Sequence, residues 1–189
     1  MRAISTDAFT EALQSIRAAR VRPDVQLDEA PAPSRLAPDA CALTVDPIDP
    51  DDDAFTGRFV ILLDPDGHDD WGGPVRAVVF AKASVDREVV HDPLLAEVGW
   101  SWVNECIAQH DLAVTNLGGT VTLSSGTGFG TLADRIDEDS VEIRASWTPL
   151  QEAADMDRHV QAWIDLIAQM AGLPIIGDDV TPVGRRARS

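Results

Sequence analysis

The stretch SVEIRASWTPLQEAADMDRHVQAWIDLIAQMAG, Ser140 to Gly172, decides the fold. Val141, Ile143 and Ala145 alternate with Glu142, Arg144 and Ser146, so an extended backbone puts the first three on one face and the others on the opposite one. That pattern predicts a half-buried strand. Thr148, Pro149 and Gln151 follow as an N-cap oxygen, a preset first helical position and the third-position partner of a capping box, which predicts a helix start. Met156, Val160, Trp163, Ile164, Ile167 and Met170 then recur on one helical stripe, and Gly172 with Pro174 beyond it marks the stop. A strand and a helix that each bury one face call for a two-layer domain. The stretch is architecture throughout and pairs no nucleophile with a base.

Working outward, Phe9, Ala12, Leu13 and Ile16 form a helical stripe behind the cap candidates Ser5 and Thr6, predicting a first helix over residues 1–20. Residues 21–39 are rich in proline and charge without a sustained period, which reads as a linker or an extended arm. Ala40 to Val45, Phe59 to Leu63, Val75 to Ala83 and Thr120 to Leu123 add four strands, the second and third of them apolar enough to be covered on both faces. Asp46 to Asp53 reads as a solvated loop, and Asp64 to Pro74 as a long hairpin connection. Asp92 and Pro93 open a second helix whose stripe runs through Leu95, Val98, Trp102, Val103, Cys106 and Ile107. Gly99 within it costs about 1 kcal/mol against alanine, which points to close packing. The expectation is an α+β fold in two layers: a five-stranded, mainly antiparallel sheet with helices on one face, in the order α-β-β-β-α-β-β-α. Residues 40–176 would form this single domain, and residues 177–189, with Arg185, Arg186 and Arg188, a flexible basic tail.

The chain of 189 residues carries 32 acidic against 15 basic side chains, a formal charge of -17. Such a surface repels nucleic-acid phosphates and anionic membranes, so neither direct nucleic-acid binding nor a membrane role is expected. Lys82 is the sole lysine. Cys41 and Cys106 lie far apart, no secretory h-region follows the first residues, and no apolar run approaches the roughly 20 residues that span a bilayer. These features predict a cytoplasmic protein with reduced thiols.

The densest set of polar ligands is Asp64, Asp66, His68, Asp69 and Asp70. A hard divalent cation is one use for it, but His68 and Gly67 stand where an EF-hand loop needs an oxygen ligand and another spacing, and a solvated hairpin explains the run better. Gly126, Gly128 and Gly130 lack the spacing and the receiving helix of a phosphate cradle. His68, His91, His110 and His159 form no zinc pattern, and Ser124 and Ser125 no nucleophile elbow. Cys106 falls on an apolar stripe, where a thiol packs as a small hydrophobe. No catalytic residue, metal ligand or cofactor is assigned. Of the tryptophans, Trp102 and Trp163 lie on core stripes. Trp100 points about 160° away from Trp102 on an ideal helix and suits a sheet edge or an exposed anchor. Trp71 in its polar loop is the best exposed anchor, with packing onto its own hairpin as the alternative. The residues singled out for binding a partner are therefore Trp71, Trp100, Asp66 and His68.

Gly57-Arg58-Phe59-Val60, Asp64-Pro65-Asp66-Gly67, Val98-Gly99-Trp100-Ser101-Trp102, Leu117-Gly118-Gly119-Thr120-Val121-Thr122 and Glu142-Ile143-Arg144-Ala145-Ser146-Trp147-Thr148-Pro149 resemble segments of an actinobacterial family, domain of unknown function number three thousand. The resemblance covers most of the chain and implies no activity, cofactor or catalytic residue. The order of elements is also similar to that of secretion-chaperone-like domains, acidic binders of other polypeptides; this is analogy of fold alone. The leading expectation is a non-catalytic cytosolic protein-binding or adaptor domain, open to homodimerisation. The alternatives are a metal-assisted or carboxylate-dependent enzyme built on Asp64 to Asp70, and an acidic regulator that mimics the substrate of a nucleic-acid enzyme.

Overall fold

The computed structural model describes residues 6–133 and 139–174. Helix α1 (Thr6–Arg17) precedes strands β1 (Val25–Ala30), β2 (Asp39–Pro47), β3 (Phe55–His68) and β4 (Gly73–Ser84). The short helix α2 (Arg87–Val90), helix α3 (Leu95–Gln109), strands β5 (Val114–Ser124) and β6 (Ser140–Pro149) and helix α4 (Met156–Met170) follow. All neighbouring strands are antiparallel, in the spatial order β1-β2-β3-β4-β6-β5.

The sheet has six strands where the sequence predicts five. The addition is β1, which lies inside the proline-rich segment and pairs along its whole length with β2, from Val25 opposite Pro47 to Ala30 opposite Ala42. As an edge strand it needs only one apolar face, and its charged residues hid it from a period-two reading. The basic tail proposed for residues 177–189 lies outside the described residues.

Phe59 and Ile61 of β3, Leu43 and Val45 of β2, Val79 and Ala81 of β4, and Val141, Ile143 and Trp147 of β6 share one face and bury it beneath α1, α3 and α4. Helix α4 buries the whole expected stripe; each such large apolar side chain taken out of water contributes about 1.5–3 kcal/mol. It ends as expected: Gly172 adopts φ +64°, its amide donates to the Gln169 carbonyl, and Leu173 reaches back to the Ala168 carbonyl at 2.8 Å.

The expected start is wrong. Strand β6 runs through Thr148 and Pro149, which pair with Thr115 and Val114 of β5, and the helix begins at Met156 after a 3-10 turn over Ala153–Asp155. Strand pairing outweighs a local capping box. The cap comes instead from the far end of the chain: Ser15 Oγ of α1 accepts the Asp157 amide at 2.9 Å and donates to the Ala154 carbonyl at 2.7 Å.

Two close approaches fix the layers. A Cβ on Gly57 would stand 2.3 Å from Ile167 Cδ1 and 2.9 Å from Trp163 Cζ2, so α4 sits directly on β3 at that glycine. A Cβ on Gly99 would meet Val121 at 3.3 Å, which is the close packing its position in α3 predicts. Val98, placed on the core stripe by the sequence, is instead 40% exposed, because the buried line of α3 runs through Leu95, Gly99, Val103 and Cys106.

Candidate functional site

Among the described residues no helix covers the opposite face of the sheet. The registers of β3, β4, β6 and β5 align its side chains in rows: Thr56, Lys82, Glu142 and Thr122; then Arg58, Phe80, Arg144 and Thr120; then Val60, Val78, Ser146 and Gly118. Beyond these rows Leu62 lies opposite Arg76, Thr148 lies opposite Thr115, and the Arg76 side chain bridges the two pairs through Thr148 Oγ1. Within the continuous registers of the three central strands this face presents Arg58, Arg76, Lys82 and Arg144 with one acid, Glu142, in a chain whose net charge is -17. Acids follow at the margins, with Asp64 and Asp66 farther along β3, Asp28 on β1 and Asp46 on β2.

The arginines are held in different ways. Arg144 donates to Glu142 at 2.6 Å and lies over the Phe80 ring, 5.1 Å from its centroid. Arg58 donates to the Pro31 carbonyl at 2.6 Å. Arg76 spans three neutral acceptors: the Asn116 carbonyl at 2.9 Å, Thr148 Oγ1 at 3.2 Å and Ser146 Oγ at 2.7 Å. Burial pushes the Arg76 guanidinium below its ordinary value. Among the described residues neither Arg58 nor Arg76 has a carboxylate partner. Val78, 36% exposed, and half-buried Phe80 give the patch an apolar centre, which corrects the expectation that this strand is covered on both faces.

One end of the face is closed by the tip of the β3–β4 hairpin. Asp69–Trp71 makes a 3-10 turn, Gly72 follows at φ +68°, and a Cβ there would run into Asn116 Nδ2 at 2.5 Å. The Trp71 carbonyl accepts from Asn116 Nδ2 at 2.7 Å and from Thr148 Oγ1 at 2.5 Å, so the turn is pinned to β5 and β6. Asn116 itself sits at φ +50° within an irregularity of the β5–β6 register. The Trp71 indole packs beside Ala42, Val60 and Leu62 and stacks on His68 with centroids 4.6 Å apart.

Of the residues singled out in the sequence, His68 and Trp71 come together, and Trp71 covers its own hairpin rather than standing free. Asp66 is exposed and its amide is tied to Asp64 Oδ1 at 3.1 Å. Trp100 belongs to the other layer, where a Cβ on Gly119 would lie 2.9 Å from its ring. Among the described residues no three His, Cys, Asp or Glu side chains gather closely enough to share a metal ion. Asp64 to Asp70 instead form the strand end and the turn. What the sequence reading missed is the set Arg58, Arg76, Phe80 and Arg144, whose spacing of two along each strand is visible but whose shared face requires the pairing register.

Cys106 and His159 are both buried. Cys106 is 2% exposed, and burial, with Asp165 and Glu105 nearby, pushes its thiol up to about 12, so the thiolate is opposed even though His110 and Asp165 pair at 2.7 Å close by. His159 is buried, accepts the Trp147 indole N–H at Nδ1 (3.0 Å), and faces the Gln151 carboxamide with its other nitrogen at 3.1 Å. A groove of about 420 Å³ lies between α1 and the start of β4; Phe9, Ile61, Val75 and Met156 line it with Glu11 and Glu152.

The fold is an α+β architecture in which helices back one face of an open, antiparallel six-stranded sheet. Residues 5–180 match the family described as Protein of unknown function (DUF3000), and the chain belongs to that family. No curated protein and no solved structure matches the chain.

Proposed function

We propose that this chain is a non-catalytic, cytoplasmic protein-binding domain that receives an acidic, partly apolar segment of a partner polypeptide on the open face of its sheet. The observation that carries this reading is the inverted charge of that face. Arg58 and Arg76 meet only neutral acceptors although acids outnumber bases in the chain by 32 to 15, and Val78 and Phe80 stand beside them. Guanidiniums without a carboxylate partner, beside a half-buried aromatic, offer sites for carboxylates and a ring for apolar contact. No helix of the described residues is long and apolar enough to cross a membrane, and Cys41 and Cys106 are both free thiols, which supports the cytoplasmic setting.

The test is fluorescence anisotropy with a labelled extended peptide of alternating glutamate and leucine. Binding should weaken at least about tenfold in an R58Q/R144Q variant and fall steeply with added salt. A lysine-leucine peptide should not bind. Equal binding by wild type and variant, or preference for the basic peptide, would refute the reading.

The metal-assisted alternative keeps little support, since the aspartates it needs are spread along a strand and a turn. The acidic-regulator alternative draws on the overall charge, but the open face carries the opposite sign.

A further inference from the structure

Strand β5 is an edge of the sheet, and its chemistry sets it apart from the rest of the molecule. From Leu112 to Ala133 there is no charged residue and no proline, in a chain of which a quarter is charged. Edge strands are ordinarily guarded by charge, proline or brevity. The other edge, β1, is short and carries Asp28 and Glu29. Strand β5 runs eleven residues, Val114–Ser124, and has only the irregularity at Asn116 and Leu117 to interrupt it. Beyond that irregularity, Gly118 to Ser124 pairs with β6 in unbroken register, leaving the outer backbone edge unpaired among the described residues. Gly118, Gly119, Thr120, Thr122 and Ser124 are exposed.

We infer that this edge pairs antiparallel with β5 of a second copy of the chain, about a two-fold axis through Val121, to make one continuous sheet. The regular span is bounded by the irregularity before Gly118 and the strand end at Ser124, and Val121 is its midpoint. The register then places Thr120 opposite Thr122, a favourable cross-strand pair, and Leu123 opposite Gly119. That glycine is where the Trp100 ring lies, so each Leu123 comes to rest beside the indole of the other copy. The loop carrying Phe129, 79% exposed, runs alongside the second copy's Leu117. The absence of charge selects the occupant. A foreign partner could gain from opposite charge at the seam, whereas two identical chains, each at -17, repel one another least along an edge that carries no charge.

The test is sedimentation equilibrium, without any peptide, on wild type and on two charge variants, T120K/T122K and T120E/T122E. The wild type should form a dimer. Each variant alone should dimerise at least about tenfold more weakly, because like charges then face each other across the axis, and an equimolar mixture of the two should recover a mixed dimer. Hydrogen exchange of residues 118–124 in the wild type should slow as protein concentration rises, which checks the seam without any substitution. A wild type that stays monomeric, variants that dimerise as well as it does, or folded variants whose mixture remains monomeric would each overturn the inference.

Discussion

Gly57 is the residue on which the two layers come closest. Replacing it with valine would drive a branched side chain into Trp163 and Ile167, and the overpacked layer should lose about 1–3 kcal/mol, measured by urea unfolding. His159 makes a second prediction at this scale. Burial, with Arg158 and His110 adding to it, lowers its folded value to about 4 from an ordinary 6.5, so the unfolded chain takes up a proton that the folded chain refuses. Stability from this group is complete above pH 6.5 and is lost as pH falls toward 4. Between pH 7 and pH 5 the loss should reach about 2 kcal/mol, and the difference between wild type and H159Q at those two pH values isolates it.

At the scale of the element, the 3-10 turn at the hairpin tip depends on a residue from a distant strand. Asn116 holds a left-handed backbone to present its amide to the Trp71 carbonyl, and Arg76 grips the Asn116 carbonyl in return. N116A should destabilise the domain by about 1–2 kcal/mol and quench or shift Trp71 fluorescence, whereas N116G, relieved of the backbone strain, should cost less. Elements that carry their own period were legible in the sequence: the stripe of α4, the Gly172 stop, the close approach at Gly99 and the alternation of β6. Those that depend on partners were not. Thr148 satisfies every local rule for a helix cap, yet its hydroxyl is engaged by the Trp71 carbonyl and its backbone is paired with Thr115 of β5. Strand β1 has too weak a period to be seen until β2 lies beside it. Asp64 to Asp70 read as a loop because strand propensity is low there, but β3 runs on past an irregularity after Leu63 to His68, which pairs with Gly73 of β4.

For the whole molecule, the sign of the net charge misdirects. A total of -17 argues against anionic partners, and as a statement about the average surface it stands. The open face reverses it locally because every second residue of β3, β4 and β6 points there, and four of those positions hold the bases. No linear reading assembles them, since they come from strands separated by α3 and β5 and meet only through the register. The same register explains why Trp71 and Trp100, equal candidates in the sequence, part company: one caps the open face and the other leans over the β5 edge on the helical side.

The serine of α1 that accepts the Asp157 amide in the first turn of α4 ties residue 15 to residue 157, and this has a consequence for how the chain is made. On the ribosome the β1–β4 meander can zip up as it emerges, each strand finding the one before it. The first helix cannot complete its docking until α4 has been synthesised, so part of its greasy side must wait in the open while translation proceeds. A product stalled before α4 would thus expose Ala12 and Ile16, a ready handle for chaperones and proteases that the folded domain withdraws.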